Sequence, residues 1–214
     1  MKVLCLASSD RPELYNLFHP SFQAYCAKWG ISYKLYPITP NLGRAQSWNK
    51  VYLLNQLLQE NEYDVFWWVD DDMVLTNYDI DIRAIINAYP DAPILVQKDI
   101  DNFFVFNCGC MIIRNCDESR RVFRMVWDEA DPKSLVHCNW EQDVMVRLYR
   151  QNKIRNAIQL LEWKQLQGFV RTYSLPQGLA WAPGDFIAHF TGEPIEKRLA
   201  LYQQLLPSFP SPLV

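Results

Sequence analysis

The chain has no excess of positive charge. Lys and Arg number 21 against 24 Asp and Glu, for a formal charge of -3, whereas a phosphate-backbone partner calls for the opposite balance. Nucleic acid is therefore not an expected partner. Long apolar runs are also missing. Met1 to Leu6 is too short for a secretory signal, and Ser8, Ser9 and Asp10 interrupt it before a membrane-spanning length is reached. No transmembrane segment is expected, and the reading is cytoplasmic, free or peripheral at a membrane surface. There is no internal repeat, no linker and no C-x2-C pair. The six cysteines (Cys5, Cys26, Cys108, Cys110, Cys116 and Cys138) are scattered through apolar segments and read as reduced. A zinc site from Cys108, Cys110, Cys116, His137 and Cys138 is disfavoured, because these residues fall on different expected elements.

Apolar material is abundant. Of the 214 residues, 50% are hydrophobic and 14% aromatic, which excludes a disordered chain and suffices for one compact core. A single domain over 1–206 with a proline-rich tail over 207–214 is expected.

Local patterning alternates strand and helix. Lys2 to Ala7 reads as a buried strand. Asp10-Arg-Pro-Glu13 follows with an N-cap residue and a first-turn proline, opening a helix that Gly30 stops. Ile31 to Tyr36 is a second strand, and Trp48 to Leu58 carries helical spacing. Val65 to Val69 is an unbroken apolar strand, as in a sheet covered on both faces, and runs straight into Asp70-Asp71-Asp72. Further strands are expected at Ile94 to Gln97, Phe103 to Asn107, Cys110 to Arg114 and Phe186 to Phe190. Helices are expected at Ile82 to Ala88, Glu118 to Glu129, Trp140 to Gln151 and Ile195 to Leu206. Trp163 to Pro183 has no clear pattern. Such alternation implies an α/β fold, a mostly parallel sheet between helix layers with ligands at the carboxyl ends of strands.

Side chains alternate along an extended chain, so Asp70 and Asp72 share one side and Asp71 faces the other. Adjacent acids repel, and a hard dication such as Mn²⁺ or Mg²⁺ is their natural neutraliser. His189, one of three histidines, ends the short apolar stretch before Thr191-Gly192 and is expected at the same sheet edge. Imidazole suits Mn²⁺ better than Mg²⁺.

Four ordered motifs, Tyr63 to Asp72, Asn107 to Cys116, Trp140-Glu-Gln-Asp143 and Gly184 to Gly192, resemble the galactosyl, mannosyl and xylosyl transferases of the GMA12/MNN10 type (glycosyltransferase family 34-like). The resemblance covers roughly Ala45 to Gly192. It implies a single-domain GT-A-like fold, a nucleoside-diphosphate sugar donor (UDP favoured, GDP as the other choice), a glycan or other hydroxyl acceptor, Mn²⁺ and retention at the anomeric carbon. It makes Asp70, Asp72 and His189 the metal ligands. It gives donor contacts to Lys50, Asn107 and Gly109, with Ala7, Ser8, Asp71, Gly192 and Lys197 assigned to the same side. It puts Gln142 under the reacting face of the sugar, with Glu141 and Asp143 binding sugar or acceptor hydroxyls. Trp140 stands where the family often carries an acid. Glu193-Pro194 replaces the usual cysteine and nearby lysine, leaving Lys197 or Arg198 for the phosphate.

Trp67 and Trp68 read as core, whereas Trp140, Trp163, Tyr173 and Trp181 lie near loops and could stack on an acceptor. Two rival readings remain open at this level. One is a module of the same fold that binds nucleotide or glycan without turnover. The other is a haloacid-dehalogenase-like phosphatase, against which stands Val74 where that chemistry needs threonine.

Overall fold

The computed structural model describes residues 1–40, 42–100, 104–135, 140–176 and 178–209. Strand β1 (Val3–Ser8) leads into helix α1 (Pro12–Trp29). Strand β2 (Ser32–Tyr36) is followed by a 3-10 turn (Gln46–Trp48) and α2 (Asn49–Leu57), and β3 (Val65–Val69) ends at the acidic run. Gly30 closes α1 at φ 63°, with its N–H turned back to Ala27, the left-handed stop that only glycine adopts freely. The helix start differs slightly from expectation. Arg11 is the N-cap without a side-chain capping bond, because the Asp10 carboxylate instead accepts from Gln46.

After β4 (Met73–Leu75) come α3 (Ile82–Ala88), β5 (Ile94–Lys98), β6 (Phe106–Arg114), α4 (Asp117–Asp128), α5 (Trp140–Arg150), β7 (Ile158–Leu161), β8 (Gly168–Phe169), β9 (Ile187–His189) and α6 (Ile195–Leu205). The main sheet has the order β2-β1-β3-β6-β5-β7. Pairings β1 with β2, β1 with β3 and β5 with β7 are parallel, while β6 runs antiparallel to both neighbours. The mostly parallel sheet is therefore present, with one reversed strand at its centre.

Side-chain alternation along β3 fills both faces. Phe66 and Trp68 join Trp48, Val51, Leu54, Val122 and Val144, so α2, α4 and α5 cover that side. Val65, Trp67 and Val69 join Phe22, Tyr25, Ile82 and Ile86, so α1 and α3 cover the other. Trp67 and Trp68 are core, as expected, at 0% and 2% exposure.

A second sheet, β4-β9-β8, adds to this, and of its strands β9 was expected, at Phe186 to Phe190. β4 and β8, three and two residues long, are too short for any hydrophobic period to register. Strand β7, four residues long, was missed for the same reason. Of the stretch expected at Phe103 to Asn107, Phe106 and Asn107 belong with Cys110 to Arg114 to one strand, β6, while Phe104 and Val105 form the turn before it and Phe103 lies outside the described residues. The register between β5 and β6 steps from Val96 opposite Met111 to Gln97 opposite Asn107. Cys108, Gly109 and Cys110 are thus bulged out of the β5 ladder, while Cys110 still sits opposite Val69 of β3. Of the tail expected over 207–214, Pro207 and Ser208 complete a 3-10 turn that begins at Leu206, and 210–214 lie outside the described residues. Among the described residues, no helix is long and apolar enough to cross a membrane.

Candidate metal and donor site

Asp70 to Asp72 occupy the turn between β3 and β4. Since β4 pairs antiparallel with β9, with Met73 opposite His189, the imidazole is brought over the acids. One ligand atom from each of Asp70, Asp72 and His189 lies within 4.8 Å of the others. His189 thus meets the acids through the small second sheet rather than along the edge of the main one. Gly109 makes the room. A Cβ there would lie 2.6 Å from His189 Cε1 and 2.7 Å from Met73 Cε, and its carbonyl accepts from Asp70 N at 2.8 Å.

Asp72 and His189 are buried, with His189 Nε2 3.2 Å from Asp72 Oδ1. His189 Nδ1 and Asp72 Oδ1 have no hydrogen-bond partner, and orphaned buried polar atoms are costly. Two carboxylates and an imidazole are a donor set that fits Mn²⁺, so the residues present suit a bound dication. Burial pushes the Asp72 carboxyl up. His189, then Arg198 and Arg11, more than offset this and hold it well below the usual carboxylate range. Arg198 Nη1 lies 3.1 Å from Asp72 Oδ2.

The neighbouring acids have other partners. Asp71 accepts from Arg11 and Ser9. Burial, reinforced by Asp72, raises its pKa more than Arg11 and Ser9 lower it. Asp70 Oδ1 accepts from Trp68 Nε1 at 2.7 Å and lies 3.1 Å from Lys50 Nζ. Lys50 Nζ also donates to Glu141 Oε1 and to the Cys108 carbonyl, each at 2.9 Å. Two of the ammonium's three donors are thus hydrogen-bonded, and the Asp70 carboxylate adds an ion pair. Burial alone would lower the Lys50 pKa, but Asp70 and Glu141 outweigh it and the net displacement is upward.

The bulge in β6 organises the other wall. Residues pushed out of a ladder leave backbone groups to be paired elsewhere. Here Cys108 N donates to Gln142 Oε1 at 2.8 Å and Gly109 N to Asn107 Oδ1 at 2.9 Å. Gln142 Nε2 donates to Asp99 Oδ2 at 3.0 Å, and Gln167 Nε2 to Asn107 Oδ1 at 3.1 Å. Lys50, Asp70, Glu141, Gln142, Asn107 and Gly109 are therefore brought into one contiguous network with the metal set.

The other expected residues have surroundings of their own. Asp143 lines a cleft with Lys133, Ser134 and Arg147. Ala7 is buried in the core, and Ser8 hydroxyl accepts from Asn49. Lys197 is exposed on α6, and between the two cations that could reach phosphate it is Arg198 that contacts the metal set. Gly192, at φ 71°, backs onto Arg171, whose guanidinium would be 2.1 Å from an added Cβ. Arg11, Ser9, Asp99, Gln167 and Arg171 were missed, because each meets the site only through contacts distant in sequence. Cys108 and Cys110 point into opposite core clusters and cannot share an ion. Burial pushes the Cys110 thiol up to about 12. His137 and Cys138 lie outside the described residues.

No family model matches the chain. Two curated proteins do. The chain is 26% identical over 152 residues to "Probable alpha-1,6-mannosyltransferase MNN10" of Saccharomyces cerevisiae, covering 58% of this chain and 39% of that protein. It is 21% identical over 238 aligned positions to "Probable alpha-1,2-galactosyltransferase gmh2" of Schizosaccharomyces pombe, covering 92% of this chain and 67% of that one. The chain thus spans about two fifths of the first relative and two thirds of the second. Among solved structures, a glycosyltransferase involved in glycosylation of the PBCV-1 major capsid superposes with a TM-score of 0.73 at 15% identity, covering 95% of this chain and 100% of that one. The galactosyltransferase LgtC superposes with 0.57 at 11%, covering 95% and 96%. The chain therefore carries the GT-A fold and is similar in sequence to the galactosyl and mannosyl transferases of the GMA12/MNN10 type.

Proposed function

We propose that the protein is a metal-dependent, retaining glycosyltransferase that moves a hexose or pentose from a nucleoside-diphosphate sugar, a UDP-sugar before a GDP-sugar, to a hydroxyl acceptor. The observation that carries this reading is the Asp70, Asp72 and His189 set, converging within 4.8 Å at the end of β3. A relative of the same fold, Drosophila β1,4-galactosyltransferase 7, has been solved with manganese, UDP-Gal and xylobiose, at a TM-score of 0.50 and 16% identity. That supports the kind of metal and donor proposed here.

Asp70, Asp72 and His189 would hold Mn²⁺, which would supply Lewis-acid stabilisation of the departing charge. The chain's own residues do the rest. Lys50 sits behind Asp70 and holds that carboxylate in place, with Glu141 as its second counter-charge. Arg198 is paired through Nη1 with Asp72, and its Nε, which has no hydrogen-bond partner, is available to phosphate oxygens. Gln142 presents its amide beneath the sugar, and the acceptor proton leaves with the phosphate.

Calorimetry with UDP and GDP, with and without Mn²⁺, followed by a screen of UDP- and GDP-sugars for Mn²⁺-dependent hydrolysis, tests the reading. Metal-dependent UDP binding with sugar release is expected. Absence of any metal-dependent nucleotide binding would sink it, and binding without hydrolysis or transfer would mark a module that has lost turnover.

A further inference from the structure

Asp99 was not among the residues expected at the site, yet it touches two that were. It is buried at the end of β5. Its Oδ2 accepts from Gln142 Nε2 at 3.0 Å and from Asn107 Nδ2 at 3.3 Å, and its Oδ1 from Ile100 N at 2.6 Å. Its own carbonyl accepts from Trp163 Nε1 at 3.2 Å, which fixes the backbone from which the carboxylate projects.

An ionised carboxylate only accepts, while a side-chain amide donates at one end and accepts at the other. Drawing both amide NH₂ groups toward Asp99 leaves one direction for both carbonyl oxygens. Gln142 Oε1 meets Cys108 N at 2.8 Å, and Asn107 Oδ1 meets Gly109 N at 2.9 Å and Gln167 Nε2 at 3.1 Å. A flipped Gln142 would set its carbonyl against the carboxylate and its NH₂ against the Cys108 N–H, two repulsions at once.

We propose that Asp99 is a positioning residue that fixes the facing of the Gln142 and Asn107 amides, and through Gln142 the group presented to the donor sugar. This rests on the reading of the site as a sugar-transfer centre. Asp99 itself does not touch the reacting atoms in this scheme. Preorganised dipoles of this kind act on the transition state more than on ground-state binding.

The test uses the full chain and Asp99→Asn, which keeps the shape. Either orientation of the new amide faces its NH₂ at a donor, the Ile100 N–H or the two amide groups. Mn²⁺-dependent UDP affinity should stay near the wild-type value while kcat for sugar release falls on the order of 100-fold, as for a misplaced catalytic contact. Asp99→Asn combined with Gln142→Ala should be no slower than Gln142→Ala alone, because the first acts through the second. The side-chain amide resonances of Gln142 and Asn107 should shift in Asp99→Asn. An unchanged kcat, additive losses, or unmoved amide resonances would each overturn the proposal. Should the wild type bind no nucleotide, the transfer reading fails by itself, and the amide resonances still decide whether Asp99 orients the two amides.

Discussion

Gly109 lies directly against the imidazole of His189, close enough that a Cβ would come within 2.6 Å of Cε1. The neighbour on the other side is Met73 Cε, at 2.7 Å, and Met73 is itself opposite His189 in the second sheet. Gly109→Ala must therefore displace the imidazole proposed to bind metal or the strand that presents it. A loss of Mn²⁺-dependent UDP affinity of roughly tenfold or more is expected, from the 10- to 100-fold cost of disturbing a metal ligand's supports. Calorimetry checks it, with circular dichroism to confirm the fold. Unchanged affinity would mean His189 is not a ligand.

Asp72 faces both His189 and Arg198. A bound ligand stabilises the folded state by mass action, so Mn²⁺ with UDP should raise the melting temperature of the wild type. Asp72→Ala should abolish that increment. A persistent metal-dependent shift in the variant would remove Asp72 from the ligand set.

Lys50 is the counter-charge for two carboxylates at once, Asp70 and Glu141. Lys50→Met should cost about 3 to 5 kcal/mol in urea unfolding, since it leaves buried charge uncompensated. Adding Glu141→Met should recover part of that loss. If the double variant is as unstable as the sum of the singles, the pair is not energetically coupled.

His19 gives a pH dependence outside the site. Burial lowers its pKa to about 4, with Asp72 a smaller opposing influence, and its Nδ1 meets the Tyr33 hydroxyl. In the unfolded chain the imidazole takes a proton near pH 6.5, which the folded chain refuses until about pH 4. Stability is therefore full above about pH 6.5, falls as pH drops toward 4, and levels off below. The total loss is on the order of 3 kcal/mol at about 1.4 kcal/mol per pH unit. The Asp72 contribution is lost only below about pH 4, where its unfolded form protonates. His19→Phe should flatten urea midpoints between pH 6.5 and 4, and an unaltered slope would contradict the assignment.

Of the four aromatics expected near an acceptor, Trp163 has the best placement. It is 43% exposed, and its indole is anchored to the Asp99 carbonyl beside the Gln142 network. Trp181 is instead committed to Thr76 at 2.9 Å and to the Phe209 ring at 5.1 Å. Trp163→Ala should raise the acceptor KM roughly 2- to 10-fold, the size of one aromatic contact, with a smaller change in donor KM. Steady-state kinetics varying each substrate decides it.

The strand-helix alternation and the acids at the end of β3 were set by the sequence alone. An apolar run of five residues, a helical period and a glycine stop are local features, and local chemistry is enough to place them. The remainder depends on pairing between distant segments. Met73 beside His189, the bulge at Cys108 to Cys110, and Lys50 turned inward to Asp70 and Glu141 arise only when strands and helices far apart in the chain are packed together. The sequence named Gln142 and Asn107 as site residues. Asp99, just past a strand with no motif of its own, sets which way they face, and no local pattern encodes a hydrogen bond that exists only after the core has closed.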